Sequence, residues 1–366
     1  MPVSAVDAIN PAFQHAKQQL LQPFRFALWI RLAFVGFLAG EAGSGGGCNF
    51  NGNIPSSNHP RGSQQFMDSP WIPQFIQHPE HYVGLIILLV VVAIGLFVLF
   101  TYISSVMRFI LFDGIITREC RIRAGWVRNR DRGFRLFVWQ ILWTLAFPAA
   151  LAVLAGSSAL LVWRMRWFDH PSDHLLPLIF GGIAAFLVLL LLVLVFSVVY
   201  VMTKDFVVPQ MALEDTTAIE GWRRLWSSLS AEKGGYAGYI GMKIVMAIGA
   251  GIVLGIATAI VAFAILIPIA GAGVAAVLAG KAAGLTWTFY TIAAAVIVGC
   301  VALAFLFFVG SLISVPAIVF FPAYSIYFFA PRYPALAKLL WPQPPPSQSP
   351  GWPTPPLPLV PALLIF

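Results

Sequence analysis

The sequence predicts an all-α fold: a polytopic bundle of about six transmembrane spans, with amphipathic interfacial helices on the cytoplasmic side. Three observations predict it. Apolar residues make up 59% of the 366, and charged residues only 10%. A soluble domain carries about 25% charged residues, so this chain has too little polar surface for a water-soluble globule. Several long stretches contain no Lys, Arg, Asp, Glu or His at all. The basic residues behind the net charge of +8 stand beside those stretches, which suits orientation in a membrane better than a nucleic-acid surface.

Residues 1–23 carry Asp7 and Lys17 and lack an apolar h-region. They are expected to be a cytoplasmic amphipathic segment, with no cleavable signal peptide. Residues 24–341 are the membrane domain. A bilayer core of about 30 Å takes roughly 20 helical residues to cross. Phe24–Gly40 is shorter and contains Arg31; it crosses with that arginine snorkelling, or lies partly in the interface. Tyr82–Met107, Leu136–Trp163, Leu175–Thr203 and Ile244–Gly280 each hold a crossing. Ala282–Pro331 is long enough for two, but Pro316 and Pro322 would kink or end a helix there. Arg332 and Lys338 behind it favour one crossing and a cytoplasmic end. Residues 41–81 read as a Gly-, Asn- and Pro-rich external loop. Residues 342–366 read as an extended proline-rich tail.

With this threading, seventeen of the 22 Lys and Arg residues fall on one side and four on the other, Arg31 standing apart. Both termini are therefore expected in the cytoplasm of a bacterial plasma membrane. Trp139, Trp143, Trp163 and Trp167 bracket the third span as an aromatic belt would. Cys48, Cys120 and Cys300 fall in three environments, so no disulfide framework is expected. Ala247, Gly251, Gly255 and Ala259 recur every fourth residue, a stripe suited to close helix packing within the chain or between two copies.

The segments 112–135 and 206–235 are the expected cytoplasmic interfacial pieces. Pro209 should end or bend the fourth span. Thr217 and Glu220 have capping-box spacing, predicting a helix over 217–229. Ile219, Trp222, Trp226 and Leu229 share one face of it, away from Glu220, Arg223, Arg224 and Ser227. Glu214 is expected to accept backbone N–H groups at the helix start or to pair with an arginine of 118–135. FDGIITRECRIRAGWVR (112–128) and VPQMALEDTTAIEGWRR (208–224) match weakly, bringing Gly125-Trp126 over Gly221-Trp222. That suggests a duplicated unit of the kind transporters contain.

DFVVPQMALEDTTAIEGWRRLW resembles a pattern in bacterial multi-pass proteins of unknown function. It is also similar to the membrane domain of some glycerophosphoryl diester phosphodiesterases. Pro209 and Glu214 would fill the first two positions of the pattern, and Trp222, Arg223 and Arg224 the third. The resemblance implies a six-helix domain of undefined role. The catalytic half of such enzymes does not carry over, because His59-Pro60-Arg61-Gly62 interrupts the His-Arg-Gly start and no Glu-Asn-Thr element follows.

His59, His78, His81, His170 and His174 fall in the expected external loops, with Glu80, Asp169 and Asp173 nearby. His78, His81, His170 and His174 are the candidate metal ligands. Prolines break any helix that would fix their spacing, and no HExxH occurs, so no metal site is expected. Gly43–Gly47 lacks the GK[ST] of a phosphate loop. The arginines between 118 and 135 suit anionic headgroups. The later spans hold ionisable groups only at their ends, which argues against a proton-coupled carrier. The sequence thus points to a non-enzymatic domain without cofactor or nucleic acid, partnered by membrane lipids and able to self-associate, that scaffolds, senses or handles lipid. A transporter component and an externally facing metal-dependent enzyme are the alternatives.

Overall fold

A computed structural model describes residues 4–41, 83–165, 175–282 and 289–341. Among them there is no strand. The order is α1 (Ile9–Leu21), α2 (Phe26–Leu38), α3 (Val83–Thr117), α4 (Ile122–Arg164), α5 (Leu175–Met202), a π-helical turn (Thr203–Val207), α6 (Val208–Glu214), α7 (Ala218–Ala231), α8 (Lys233–Ala282), α9 (Phe289–Ile313), α10 (Val315–Phe329) and α11 (Pro334–Leu340).

Five helices are long and apolar enough to cross a membrane: α3, α4, the continuous α5–π–α6 path, α8 and α9. The sixth expected span is a correction. α2 has 13 residues, about 20 Å of helix, and falls short of the bilayer core. It runs antiparallel to α3: Arg31 donates to the Cys120 carbonyl at 3.4 Å, and Ala39 accepts from Arg108 at 3.2 Å. It therefore reaches only from the end of α3 to the level of Arg108.

Ala282–Pro331 makes one pass. Gly310 of α9 lies beside Thr258 of α8. Further along, Tyr324 stacks on Tyr239 at 5.1 Å, and Arg332 pairs with Glu232. α9 and α10 thus form one path antiparallel to α8, broken at Ser314 where Pro316 starts a new helix.

The two ends of the bundle differ. At one end, α1, α7, α10 and α11 close over the ends of the spans, and the buried core lies there. Phe206 is its centre, with ring centroids of Tyr236, Tyr239, Phe328 and Phe329 at 5.0 to 6.0 Å. Two glycines permit the close approaches: a Cβ on Gly36 would fall 2.3 Å from Ile318, and one on Gly133 2.5 Å from Val106. Towards the other end the most apolar stretches of α3, α5 and α8 bury no residue inside the chain. In lipid that exposure costs nothing, because acyl chains are as apolar as leucine.

Candidate functional site

The site begins with a proline. Pro209 has no N–H to give the Asp205 carbonyl, and its ring would crowd the turn before it. The chain does not break there. It widens into the π turn Thr203–Val207 and continues to Glu214; single π turns of this kind recur at functional sites. Of the end or bend expected at Pro209, the end is displaced to Asp215, which takes the left-handed conformation at φ 56°.

The widened turn holds two neighbouring charges in the interior. The Lys204 ammonium lies 2.5 Å from the Glu41 carboxylate. Asp205 pairs with Lys243 of α8 and accepts from the Tyr239 hydroxyl at 2.9 Å. Arg108 of α3 completes the layer. Its guanidinium donates to the Ala39 carbonyl and the Tyr200 hydroxyl, and lies 5.1 Å from the Tyr200 ring. Arg108 and Lys243 both act electrostatically on Glu41. A cavity of about 30 Å³ between Glu41, Arg108, Lys204 and Asp205 has room for a water-sized guest. All five charges stand where an apolar run meets the closed end. Each bounds such a run in the sequence, where it looks like a plain helix end.

Arg108 also looks outwards. A cleft of about 590 Å³ opens between α2, α3, α4 and α5, with Phe37, Phe97, Phe100, Trp139 and Trp143 on its walls. Its polar members are Arg108, Gln140, Tyr200, Thr203 and nearby hydroxyls. The Trp143 ring stacks on Phe196 at 4.4 Å, which stiffens one wall. A second groove of about 580 Å³, between α1, α2, α8 and α10, has Lys17 as its one charged member.

The residues of the interfacial motif separate into different roles. Thr217 caps α7, its Oγ accepting from the Glu220 N–H at 3.3 Å. Glu214 takes neither expected partner: it pairs with Arg224 and accepts from the Tyr333 hydroxyl at 2.5 Å. Its neighbour Asp215 meets the basic segment instead, at 3.1 Å from Arg132 and 2.8 Å from Arg135. Those hydrogen bonds, Arg132 first, hold its carboxyl below the usual carboxylate range. Arg223 is exposed beside Glu220. Trp222 donates its indole N–H to Thr203 at 2.9 Å, tying α7 to the π turn. Leu225 is buried in α7 with Ala218 and Gly221, whereas Ile219 and Trp226 are 70% and 65% exposed. Gly125 and Gly221 of the weak repeat are used alike, each helix following a left-handed residue (Arg118, Asp215) and packing its glycine against an earlier stretch, Gly125 on Ile110 of α3 and Gly221 on Val207 of the π turn.

Ala247, Gly251 and Gly255 are half-buried and Ala259 is exposed. A Cβ on Gly255 would meet nothing within 4 Å. His59, His78, His81, His170, His174 and Cys48 lie outside the described residues, as do residues 42–82 and the tail 342–366. Among the described residues no group of His, Cys, Asp or Glu has the arrangement of a metal site. Cys120 is buried and Cys300 exposed, both as free thiols.

Residues 3–339 match the model of DUF7544, described as a family of unknown function. The match fits a multi-pass membrane protein of undefined role and gives no link to glycerophosphoryl diester phosphodiesterases. No curated protein and no solved structure matches the chain.

Proposed function

The chain belongs to DUF7544, and from its geometry we propose that it is a non-enzymatic plasma-membrane protein that holds lipid between its helices. The observation that carries this is the aromatic cleft of about 590 Å³ ending at Arg108. Pockets of this size suit small ligands, and this one has greasy walls and a cationic end. The closed end of the bundle is its cytoplasmic end, with Arg123, Arg128 and Arg130 exposed there for anionic headgroups. Both termini belong on that side. Native mass spectrometry of the full chain is the test. Co-purified lipid should be present and should fall at least severalfold when Thr144→Trp fills the cleft. Equal retention by both proteins would remove the reading.

A second reading, a transporter component, is favoured by the buried charges around the π turn. Coupled carriers keep ionisable groups at such places. Solute uptake into proteoliposomes that stops with Asp205→Asn would support it over the first.

A further inference from the structure

Among the described residues the buried charges of this layer do not balance. Arg108, Lys204 and Lys243 supply three positive charges, and Glu41 and Asp205 two negative ones. Pairing assigns the shortfall to one residue: Lys204 has Glu41 and Lys243 has Asp205, while the hydrogen bonds of Arg108 go to neutral oxygens on Ala39 and Tyr200. Yet Arg108 is only 6% exposed. Glu41 acts on Arg108 as well, but that carboxylate is already paired with Lys204. A buried cation that shares its counter-charge is costly, and an anion placed against it recovers much of that cost. The cleft is where such an anion has access, because Arg108 forms part of its wall. Gln140 stands in the same wall. Its Oε1 is taken by the Ser105 hydroxyl at 2.7 Å, which leaves its amide N–H groups as donors.

The cleft also has a direction. Phe97 and Phe100 precede Arg108 on α3 by two to three helical turns, so they line it about 12 to 16 Å farther into the apolar zone. A ligand fitting this gradient carries its anion at the boundary of the apolar runs and its hydrocarbon beyond. We propose that the cleft takes a phospholipid of single net negative charge from the cytoplasmic leaflet, its phosphodiester against Arg108 and an acyl chain along Phe97, Phe100 and Trp143. This rests on the lipid-holding reading and adds the charge rule. Arg is suited to the role, because its planar fork matches a phosphate.

The test is native mass spectrometry of the full chain after exchange into equimolar phosphatidylglycerol and phosphatidylcholine. Phosphatidylglycerol should be retained about tenfold over phosphatidylcholine. Arg108→Lys should keep most of that preference, and Arg108→Gln should lose it. Should Arg108→Gln fail to fold, Gln140→Glu gives the same answer. It places the missing charge in the same cleft wall as Arg108, so it should abolish the preference and raise the melting temperature of delipidated protein. Equal retention of the two lipids by the unaltered chain overturns the charge rule and leaves the lipid-holding reading standing. Retention of neither overturns that reading as well. Preferential retention of oleate in a competition arm overturns the phospholipid assignment.

Discussion

The Glu41 carboxylate sits 2.5 Å from the Lys204 ammonium, joining the end of the half-length helix α2 to the π turn. Both side chains are almost closed to solvent, at 3% and 10% exposure. Removing one partner leaves the other charge buried and alone. Glu41→Gln should therefore destabilise by about 3 to 5 kcal/mol. Glu41→Gln combined with Lys204→Met should be markedly less damaging than the sum of the two single changes. Thermal melts of the four proteins in one detergent complete the cycle, and simple additivity would show that the pair is not coupled.

Thr217 offers a smaller, local effect. Its side chain satisfies the Glu220 N–H, one of the unpaired donors at the start of α7. Thr217→Ala should cost about 1 kcal/mol, and Thr217→Asp should be nearly neutral. Hydrogen exchange over residues 218–222 should quicken in the alanine variant, with α8 unchanged. Identical exchange in the two variants would contradict the capping role.

How much of this was readable beforehand depends on the kind of signal. The spans were legible because the bilayer demands length and apolarity, and both are one-dimensional properties. The start of α7 was legible because a capping box acts within four residues. The half-length α2 was not, since Phe26–Leu38 is as greasy as a span and only its antiparallel contact with α3 limits its depth. The charge layer was illegible for a related reason. Glu41, Arg108, Lys204, Asp205 and Lys243 each look like ordinary helix-end residues, and only folding brings them to one level. Leu225, hidden while Trp226 is exposed, shows that an apolar face on a wheel does not say which neighbour covers it.

His15 predicts a pH response outside the spans. Its ring nitrogens bond the Ile115 carbonyl at 3.0 Å and the Tyr327 hydroxyl at 3.2 Å. Burial, aided by the positive charge of Arg118, pulls its pKa below the usual 6.5. The unfolded chain thus takes up a proton at a higher pH than the folded one. Stability is full above pH 6.5 and falls as pH drops from there through the folded pKa. Protection of α1 amides should weaken over that window in the unaltered chain and stay flat in His15→Gln. A matching decline in His15→Gln would assign the response to another group.

Topology needs a different reporter from Cys120. That thiol is 3% exposed, and burial pushes its pKa up to about 11, so it is shielded and almost wholly protonated at neutral pH. It should resist an impermeant thiol reagent from either side. Arg123 is exposed at the start of α4. In a cysteine-free chain Arg123→Cys should be labelled only after cells are permeabilised. Labelling in intact cells would reverse the threading.

The two tryptophans of α7 should behave oppositely. Trp222 is half-buried and bonded to Thr203, so Trp222→Phe removes a hydrogen bond between α7 and the π turn and should cost about 1 kcal/mol. Trp226 points away from the core with Ile219, 65% and 70% exposed, with Arg223 beside them three and four residues away, while Arg224 and the exposed Ser227 stand further round the helix. Trp226→Ser should leave stability within about 0.5 kcal/mol. What it should change is attachment to the bilayer, since an apolar face backed by arginines lies in the headgroup boundary. Nitroxides introduced singly at positions 226 and 227 of the full chain in vesicles measure this directly. The probe at 226 should be more accessible to dissolved oxygen than to a water-soluble nickel complex, and the probe at 227 the reverse. Equal accessibility at the two positions would place α7 in water and remove its interfacial role.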